Sequence, residues 1–124
     1  PPPSLDPKWW APHTGYTLAK MGMSFVTLGL AAEFGPQGVA VNALWPRTLI
    51  ATEALNMIPG VSAANGRMPA IMADAAHAVL TRPAQGSHGQ FLIDDEVLGE
   101  AGISDFSSYA VDPSQPLYPD LFLD

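Results

Sequence analysis

The stretch TGYTLAKMGMSFVTLGLAAEFGPQGVAVNALWP, residues 14–46, joins two patterns of different period. Its first part predicts a helix over 14–34, with Thr14 as N-cap and Gly35-Pro36 as a left-handed C-cap followed by a helix breaker. From Val39 to Trp45 the chain is almost continuously apolar, which is typical of a parallel strand covered on both faces. A helix that leads into such a strand is a unit of a doubly wound α/β sheet.

The helix predicted over 14–34 is apolar nearly all round, and such a helix is buried on more than one side. Gly22 and Gly29 share a face that the backbone of another helix could approach. We therefore expect a sheet on one side and a second copy of the chain on the other, which makes a homo-oligomer through helix 14–34. The residues that recur at helical spacing are Leu18, Met21, Phe25, Leu28 and Ala32.

The flanking segments predict few further elements. The proline-rich residues 1–13 are interpreted as an extended loop with aromatic anchors. A short helix is predicted over 49–57, a longer helix over 67–80 and a last strand over 89–94. The acidic, proline-containing residues 95–124 are interpreted as a tail that lies over the body.

Two or three parallel strands are too few for a complete doubly wound sheet. We therefore expect an α/β fold that is a partial Rossmann-type doubly wound parallel sheet, the second half of a domain. A chain that opens on three prolines without an initiator methionine is interpreted as part of something longer.

Composition excludes several classes of function. The 124 residues carry a net charge of −7, and all five basic residues precede residue 83, so no basic stripe exists to bind nucleic acid or an anionic membrane. No apolar run reaches membrane-spanning length. Cysteine is absent, which removes thiolate chemistry and fits a reducing compartment. With no targeting signal seen, we expect a cytoplasmic protein.

Tyr16 and Lys20 form the pair with the clearest chemical meaning. On a helix, residues four apart project from the same face, one turn apart. A free tyrosine is too weakly acidic for easy proton exchange at neutral pH, but a nearby ammonium favours the phenolate and lowers its pKa. Such a phenol can protonate a carbonyl oxygen or remove the proton of an alcohol. The pattern alone is weak; its place ahead of a buried strand strengthens it, because doubly wound sheets bind ligands at the carboxyl ends of their strands.

With YTLAK, then VNALWP and RTLIATEAL, the chain resembles the carboxyl-terminal half of a short-chain dehydrogenase/reductase. The matching positions are Tyr16, Lys20, Val41, Asn42 and Pro46. The stretches NALWPRT, ADAAHAVL, GQFLIDDEVL and YPDLFLD are similar to the hydroxysteroid dehydrogenase-like 2 group. The resemblance makes 1–124 the carboxyl-terminal part of one such domain, with a loop over 1–13, a helix and strand body over 14–94 and a tail over 95–124.

The resemblance implies an oxidoreductase that interconverts a carbonyl and a secondary alcohol with a nicotinamide cofactor. Tyr16 is expected to be the general acid/base, and Lys20 to bind the nicotinamide ribose. Pro46, Ile50 and Thr52 are expected on the cofactor side. The family's Pro-Gly is Pro46-Arg47 here, and Thr52 is favoured over Thr48 as the threonine that holds the carboxamide. The sequence does not decide between NAD and NADP.

The family's glycine-rich loop is missing from these residues, and its catalytic serine has two possible positions. None of the 11 glycines forms G-x-G-x-x-G, so the isolated chain is expected not to turn over a dinucleotide. Ser4 stands twelve residues before Tyr16 and is one candidate for the catalytic serine; a residue before Pro1 is the other, and Ser4 is then a turn serine. The alternative function is a truncated, non-catalytic module that dimerises.

Other candidate groups predict no site. His13, His77 and His88 lack ligand spacing, so no metal is expected. Asp94-Asp95-Glu96 is interpreted as a solvated strand end. The three tryptophans (Trp9, Trp10 and Trp45) flank the presumed site, either as the wall of an apolar pocket or as packing residues.

Overall fold

The computed structural model describes residues 1–84 and 86–123. Its helices are α1 (Pro7–Trp10), α2 (Thr14–Phe34), α3 (Ala70–Leu80) and α4 (Asp94–Glu100), and its strands are β1 (Ala43–Trp45) and β2 (Phe91–Ile93). Short 3-10 helices lie at Gly35–Gln37, Glu53–Met57, Ala63–Asn65 and Ser107–Tyr109. β1 and β2 pair side by side in a small parallel sheet, so the predicted α/β fold class is confirmed.

The chain divides into two compact units. The first consists of Pro1–Trp45 and Arg82–Leu92, and the second of Pro46–Thr81 together with the residues from Ile93 onward. In the first unit α2 packs against both α1 and β1, and in the second α3 packs against α4.

The prediction of an extended loop over 1–13 is wrong at its end, because Pro7–Trp10 is a helical turn. Pro7 stands in the first turn, where a missing amide proton costs no hydrogen bond. The Asp6 carboxylate caps the turn by accepting a hydrogen bond from the Lys8 amide at 3.0 Å. A proline-rich segment can therefore start a helix when its proline falls at the first position.

Both predicted ends of α2 need correction. The N-cap is His13 rather than Thr14, whose hydroxyl donates to the Trp10 carbonyl at 2.8 Å. Gly35 is right-handed, and the chain continues into a 3-10 turn before Gly38 takes a left-handed φ of 80°. Pro36 is accommodated because it stands in the first turn of that 3-10 helix, where its missing amide proton is not needed.

Within its own chain α2 buries one face. Its buried side chains are small or hydroxylated apart from one methionine, and the hydroxyls donate to backbone carbonyls: Thr17 to Trp9 at 2.6 Å, and Ser24 to Pro1. Of the five apolar residues noted at helical spacing, only Met21 is buried, whereas Leu18, Phe25 and Leu28 are exposed. Because the helix is apolar all round, its composition did not reveal which face is covered. The buried residues are Thr17, Met21, Ser24, Thr27 and Ala31.

The predicted strand over 39–45 is shorter in the structure. Only Ala43–Trp45 forms β1, because the Asn42 side chain takes over the bonding just before it. The Asn42 amide nitrogen donates to the Ser87 carbonyl at 2.7 Å, and its oxygen accepts from the Gln90 amide at 3.0 Å. Asn42 thereby fixes the start of the ladder between β1 and β2.

In the second unit, residues 48–51 are extended rather than helical. Thr48 pairs with Pro119, and Ile50 pairs in parallel with Arg67, so the helix predicted over 49–57 is reduced to the 3-10 segment Glu53–Met57. The helix predicted over 67–80 begins at Ala70, after Pro69.

β2 ends at Ile93, and the residues that follow form α4, a helix that the sequence interpretation placed in the tail. Farther along the chain, backbone hydrogen bonds join the tail to residues 47–65 of the same unit. The Tyr118 carbonyl accepts from the Leu49 amide at 3.0 Å, the Tyr118 amide donates to the Asn65 carbonyl at 2.9 Å, and the Asp120 amide donates to the Arg47 carbonyl at 3.0 Å.

Candidate active site

Tyr16 and Lys20 lie one turn apart near the start of α2, as their spacing predicts. The Lys20 Nζ atom is 5.6 Å from the centroid of the Tyr16 ring and 5.7 Å from the centroid of the Trp45 ring. Both distances are within reach of a cation–π attraction, so the ammonium lies between two aromatic faces. Trp45 is buried at the carboxyl end of β1, whereas Tyr16 keeps 45% of its surface exposed.

The first turn of α2 is fixed by α1. Thr17, between Tyr16 and Lys20 in sequence, is fully buried and bonds to the Trp9 carbonyl, and one turn later Met21 is fully buried too. These anchors set the rotation of the helix. They leave Tyr16 on the exposed side, where a reacting group can approach it.

Ser4 belongs to the turn that precedes α1. Its hydroxyl oxygen accepts from the Asp6 amide at 3.2 Å, and its carbonyl accepts from the Trp10 indole nitrogen at 3.1 Å. Ser4 therefore makes the hydrogen bonds of a turn serine, the second of the two interpretations given for it above.

The expected cofactor-side residues Pro46, Ile50 and Thr52 lie in the second unit. Thr48, the less favoured threonine, is buried, and its hydroxyl donates to the Leu49 carbonyl at 3.4 Å. Thr52 is exposed and extended, immediately before the 3-10 helix, and makes no side-chain cap bond.

The backbone of Ile50 presents one unused donor. Arg67 donates its amide to the Leu49 carbonyl at 2.8 Å and accepts from the Ala51 amide at 2.9 Å. In such a parallel bridge the amide and carbonyl of the middle residue, Ile50, face away from Arg67. The Ile50 carbonyl accepts from the Thr52 amide at 2.8 Å, and within the described residues the Ile50 amide has no hydrogen-bond partner.

The acidic run Asp94-Asp95-Glu96 is not a solvated strand end, so that interpretation is wrong. It forms the first turn of α4, and Asp94 is completely buried. The Asp94 Oδ1 atom accepts from the amides of Arg47 and Asp95, each at 2.8 Å. Burial raises the pKa of Asp94, and the two amide hydrogen bonds oppose that rise.

Two arginines surround this turn. The Arg47 Nε atom lies 3.2 Å from the Asp95 Oδ1 atom, and its Nη2 atom bonds to Glu96. The Arg67 Nη1 atom lies 3.3 Å from the other Asp95 oxygen, Oδ2. Burial alone would lower the pKa of Arg47, but hydrogen bonds and charges from Glu96 and Asp95 outweigh it, and the net direction is upward.

Sequence reasoning missed this cluster, although one signal was present. Carboxylates favour the first turn of a helix, so three acids directly after a strand could have indicated a helix start.

In the ranges 1–84 and 86–123, no group of three or more His, Asp or Glu side chains could hold a metal ion. None of the helices there has the length and hydropathy needed to cross a membrane. The second unit holds a cavity of about 240 Å³ that none of the predicted site residues lines; its walls are Arg67, Phe106, Ser107, Ala110, Pro113, Gln115 and Leu117.

Two solved structures share this architecture. A Xanthomonas campestris protein described as a dehydrogenase matches with a TM-score of 0.97 and 77% identity, covering all of this chain and 46% of that one. A short-chain dehydrogenase from Mycobacterium thermoresistibile matches with a TM-score of 0.87 and 43% identity, covering all of this chain and 44% of that one. The chain thus has the fold of part of a short-chain dehydrogenase, as its sequence predicts.

Curated relatives narrow the similarity from this class of protein to one group within it. The chain is 50% identical over 125 residues to hydroxysteroid dehydrogenase-like protein 2 of Danio rerio and 46% identical over 126 residues to that of Homo sapiens. Each match covers the whole chain but only 30% and 29% of the relative. The resemblance to the hydroxysteroid dehydrogenase-like 2 group is therefore confirmed. No family model matches the chain.

Proposed function

We propose that this chain carries the proton-transfer residues of a nicotinamide-dependent oxidoreductase that interconverts a carbonyl and a secondary alcohol. The single observation that supports this proposal most is the position of the Lys20 ammonium, between the rings of Tyr16 and Trp45 at the carboxyl end of β1. Dehydrogenase relatives over the full chain point to the same class of reaction.

Tyr16 is the general acid and base in this proposal. Its phenol donates a proton to the carbonyl oxygen in reduction and removes the proton of the alcohol in oxidation. Lys20 acts on Tyr16 electrostatically, because a cation beside a phenol stabilises the phenolate. The exposed side of the Tyr16 ring leaves room for the substrate oxygen.

The residues present fit a nicotinamide cofactor by their donors. The three hydrogens of the Lys20 ammonium suit ribose hydroxyl oxygens, and the unused Ile50 amide suits a carboxamide oxygen. The exposed Thr52 hydroxyl can bond the same carboxamide, whereas the Thr48 hydroxyl is already used. Pro46 ends the strand on the cofactor side. When bound, the cofactor donates or accepts the hydride at C4 of its nicotinamide ring; NAD and NADP both satisfy this chemistry.

The chain of 124 residues is proposed not to turn over a dinucleotide alone. It spans about 30% of the curated relatives that it matches, and its glycines form no G-x-G-x-x-G loop to cradle the pyrophosphate. Turnover by purified residues 1–124 with a panel of ketones would contradict this statement.

The proposed function is tested by Tyr16→Phe in the full-length protein. We expect consumption of NAD(P)H with a panel of ketones to fall by about 10²–10⁴-fold, the usual contribution of a general acid. Tyr109→Phe is the matched control, since it also removes one phenol hydroxyl, one that donates to Asp74 at 2.8 Å and has no assigned role. Full activity of Tyr16→Phe would refute the assignment.

A second candidate function, a non-catalytic dimerising module, is supported by the surface of α2. We propose that this surface binds the same helix of a second copy, because six large apolar side chains stand exposed along a single helix. These residues are Leu18, Met23, Phe25, Val26, Leu28 and Leu30. Dimerisation through this surface does not itself exclude catalysis; the two candidate functions differ in activity, which the Tyr16→Phe test addresses.

A further inference from the structure

Residues Arg47–Ala51, here called the carboxamide segment, carry the Ile50 amide to which the proposed function assigns a role. A five-residue extended segment holds one geometry only if contacts outside it fix both ends. In the second unit those contacts converge on the first turn of α4.

At the start of the segment, both the backbone and the side chain of Arg47 are held. The Arg47 amide donates to the buried Asp94 Oδ1 atom at 2.8 Å, and the Arg47 guanidinium bonds to Asp95 and Glu96. The Asp94 carboxylate is fully buried, so water does not compete for this amide.

At the end of the segment, both the backbone and the side chain of Arg67 make contacts. The Arg67 backbone bonds to the residues on either side of Ile50, donating to the Leu49 carbonyl and accepting from the Ala51 amide. Its side chain, 9% exposed, lies 3.3 Å from Asp95 Oδ2, and its guanidinium lies 5.4 Å from the centroid of the Phe106 ring. A buried guanidinium with this partner resists rotation, which fixes the backbone that pairs with the segment.

We propose that Asp95 is a positioning residue that sets the geometry of the carboxamide segment for the nicotinamide cofactor. Its carboxylate bonds to both arginines: Oδ1 accepts from Arg47 at 3.2 Å, and Oδ2 accepts from Arg67 at 3.3 Å and from Arg47 at 3.4 Å. One side chain therefore ties both ends of the segment to α4. This inference rests on the proposed function, because it presupposes that the Ile50 amide meets the cofactor.

The test uses Asp95→Asn in the full-length protein. In asparagine one carboxylate oxygen is replaced by an NH₂ donor and the negative charge is lost, so the charge-assisted bonds to the two arginines cannot both be kept. Asp112→Asn is the control with the same charge change: Asp112 lies in the tail and accepts from the Ser114 amide at 2.9 Å, a bond that asparagine can also accept.

The first readout is amide hydrogen exchange without cofactor. We expect faster exchange of the Leu49 and Ala51 amides in Asp95→Asn, with the amides of α3 unchanged and no change in Asp112→Asn. Unchanged exchange at Leu49 and Ala51 would overturn the proposal. This readout does not depend on catalysis, so its outcome can be distinguished from that of the Tyr16→Phe test.

The second readout separates positioning from a purely structural role. We expect the KM for NAD(P)H to rise by about tenfold or more in Asp95→Asn, with kcat at saturating cofactor nearly unchanged, because Tyr16 and Lys20 are untouched. Asp95→Glu, which restores two acceptor oxygens, should recover most of the loss. Faster exchange with an unchanged KM would show that Asp95 stabilises the segment without positioning it, and would contradict the proposal.

Discussion

Asp94 is the residue whose environment departs most from what its type suggests. A carboxyl group with no solvent exposure receives two backbone amides on Oδ1, while Oδ2 is buried without a hydrogen-bond partner among the described residues. Burial raises its pKa above the ordinary 3.8. A raised native pKa means that the folded state binds more protons than the unfolded state. The stability from this group is therefore fully present at low pH and is lost as pH rises through the native pKa.

Asp94→Asn tests this directly. Asparagine keeps one oxygen for the two amides and cannot ionise, so the variant escapes the loss on raising the pH. We expect the difference in the free energy of unfolding, variant minus parent, to become more positive as the pH is raised above the ordinary pKa of 3.8, measured by urea denaturation. A difference that is constant with pH would contradict the assignment. Asp94→Ala strands both amides and should cost about 1–3 kcal/mol.

At the scale of elements, sequence patterns predicted more of the helices than of the contacts between them. The extents of α2 and α3 were close because apolar periodicity and breakers act locally. The covered face of α2 was not predictable, since its partners are backbone carbonyls of residues 1 and 9 that accept from hydroxyls. The ion pairs of the first turn of α4 were not predictable for a similar reason, because their partners Arg47 and Arg67 are distant in sequence.

Gly66 shows how closely these elements approach. A Cβ atom at this position would lie 2.7 Å from the Leu49 carbonyl oxygen, which belongs to the backbone and cannot rotate away. We expect Gly66→Ala to lower the free energy of unfolding by about 1–3 kcal/mol through this overlap.

Gly99→Ala in α4 is the matched control for that substitution. A Cβ atom there meets nothing within 4 Å, so we expect a gain of about 0.5–1 kcal/mol from helix propensity. Thermal or urea unfolding of the two variants measures both effects. Equal stabilities would contradict the close approach of residues 49 and 66.

At the scale of the whole molecule, the sequence predicted the class of fold and the closeness of the Tyr16 and Lys20 side chains, because both depend on short-range patterns. The proposed homo-oligomer depends on the exposed apolar surface of α2. A continuous apolar helix face is expected to be covered by a partner.

Leu28→Lys tests that expectation. The residue is 43% exposed on α2, and a buried lysine at a helix interface should weaken self-association by about tenfold or more. Leu80→Lys, at an 83% exposed position on α3, makes the same substitution outside the proposed interface and should leave self-association unchanged. Sedimentation equilibrium measures both. A parent protein that is monomeric at all concentrations would rule out the interface.

The most direct test of the central claim separates cofactor binding from proton transfer in one variant. For Tyr16→Phe in the full-length protein, NAD(P)H is titrated first, and hydride transfer to a ketone is then followed in a single turnover. We predict a dissociation constant for NAD(P)H within about threefold of the parent and a transfer rate lower by about 10² or more. A transfer rate equal to that of the parent, with the cofactor bound, would contradict the role of Tyr16 as the general acid.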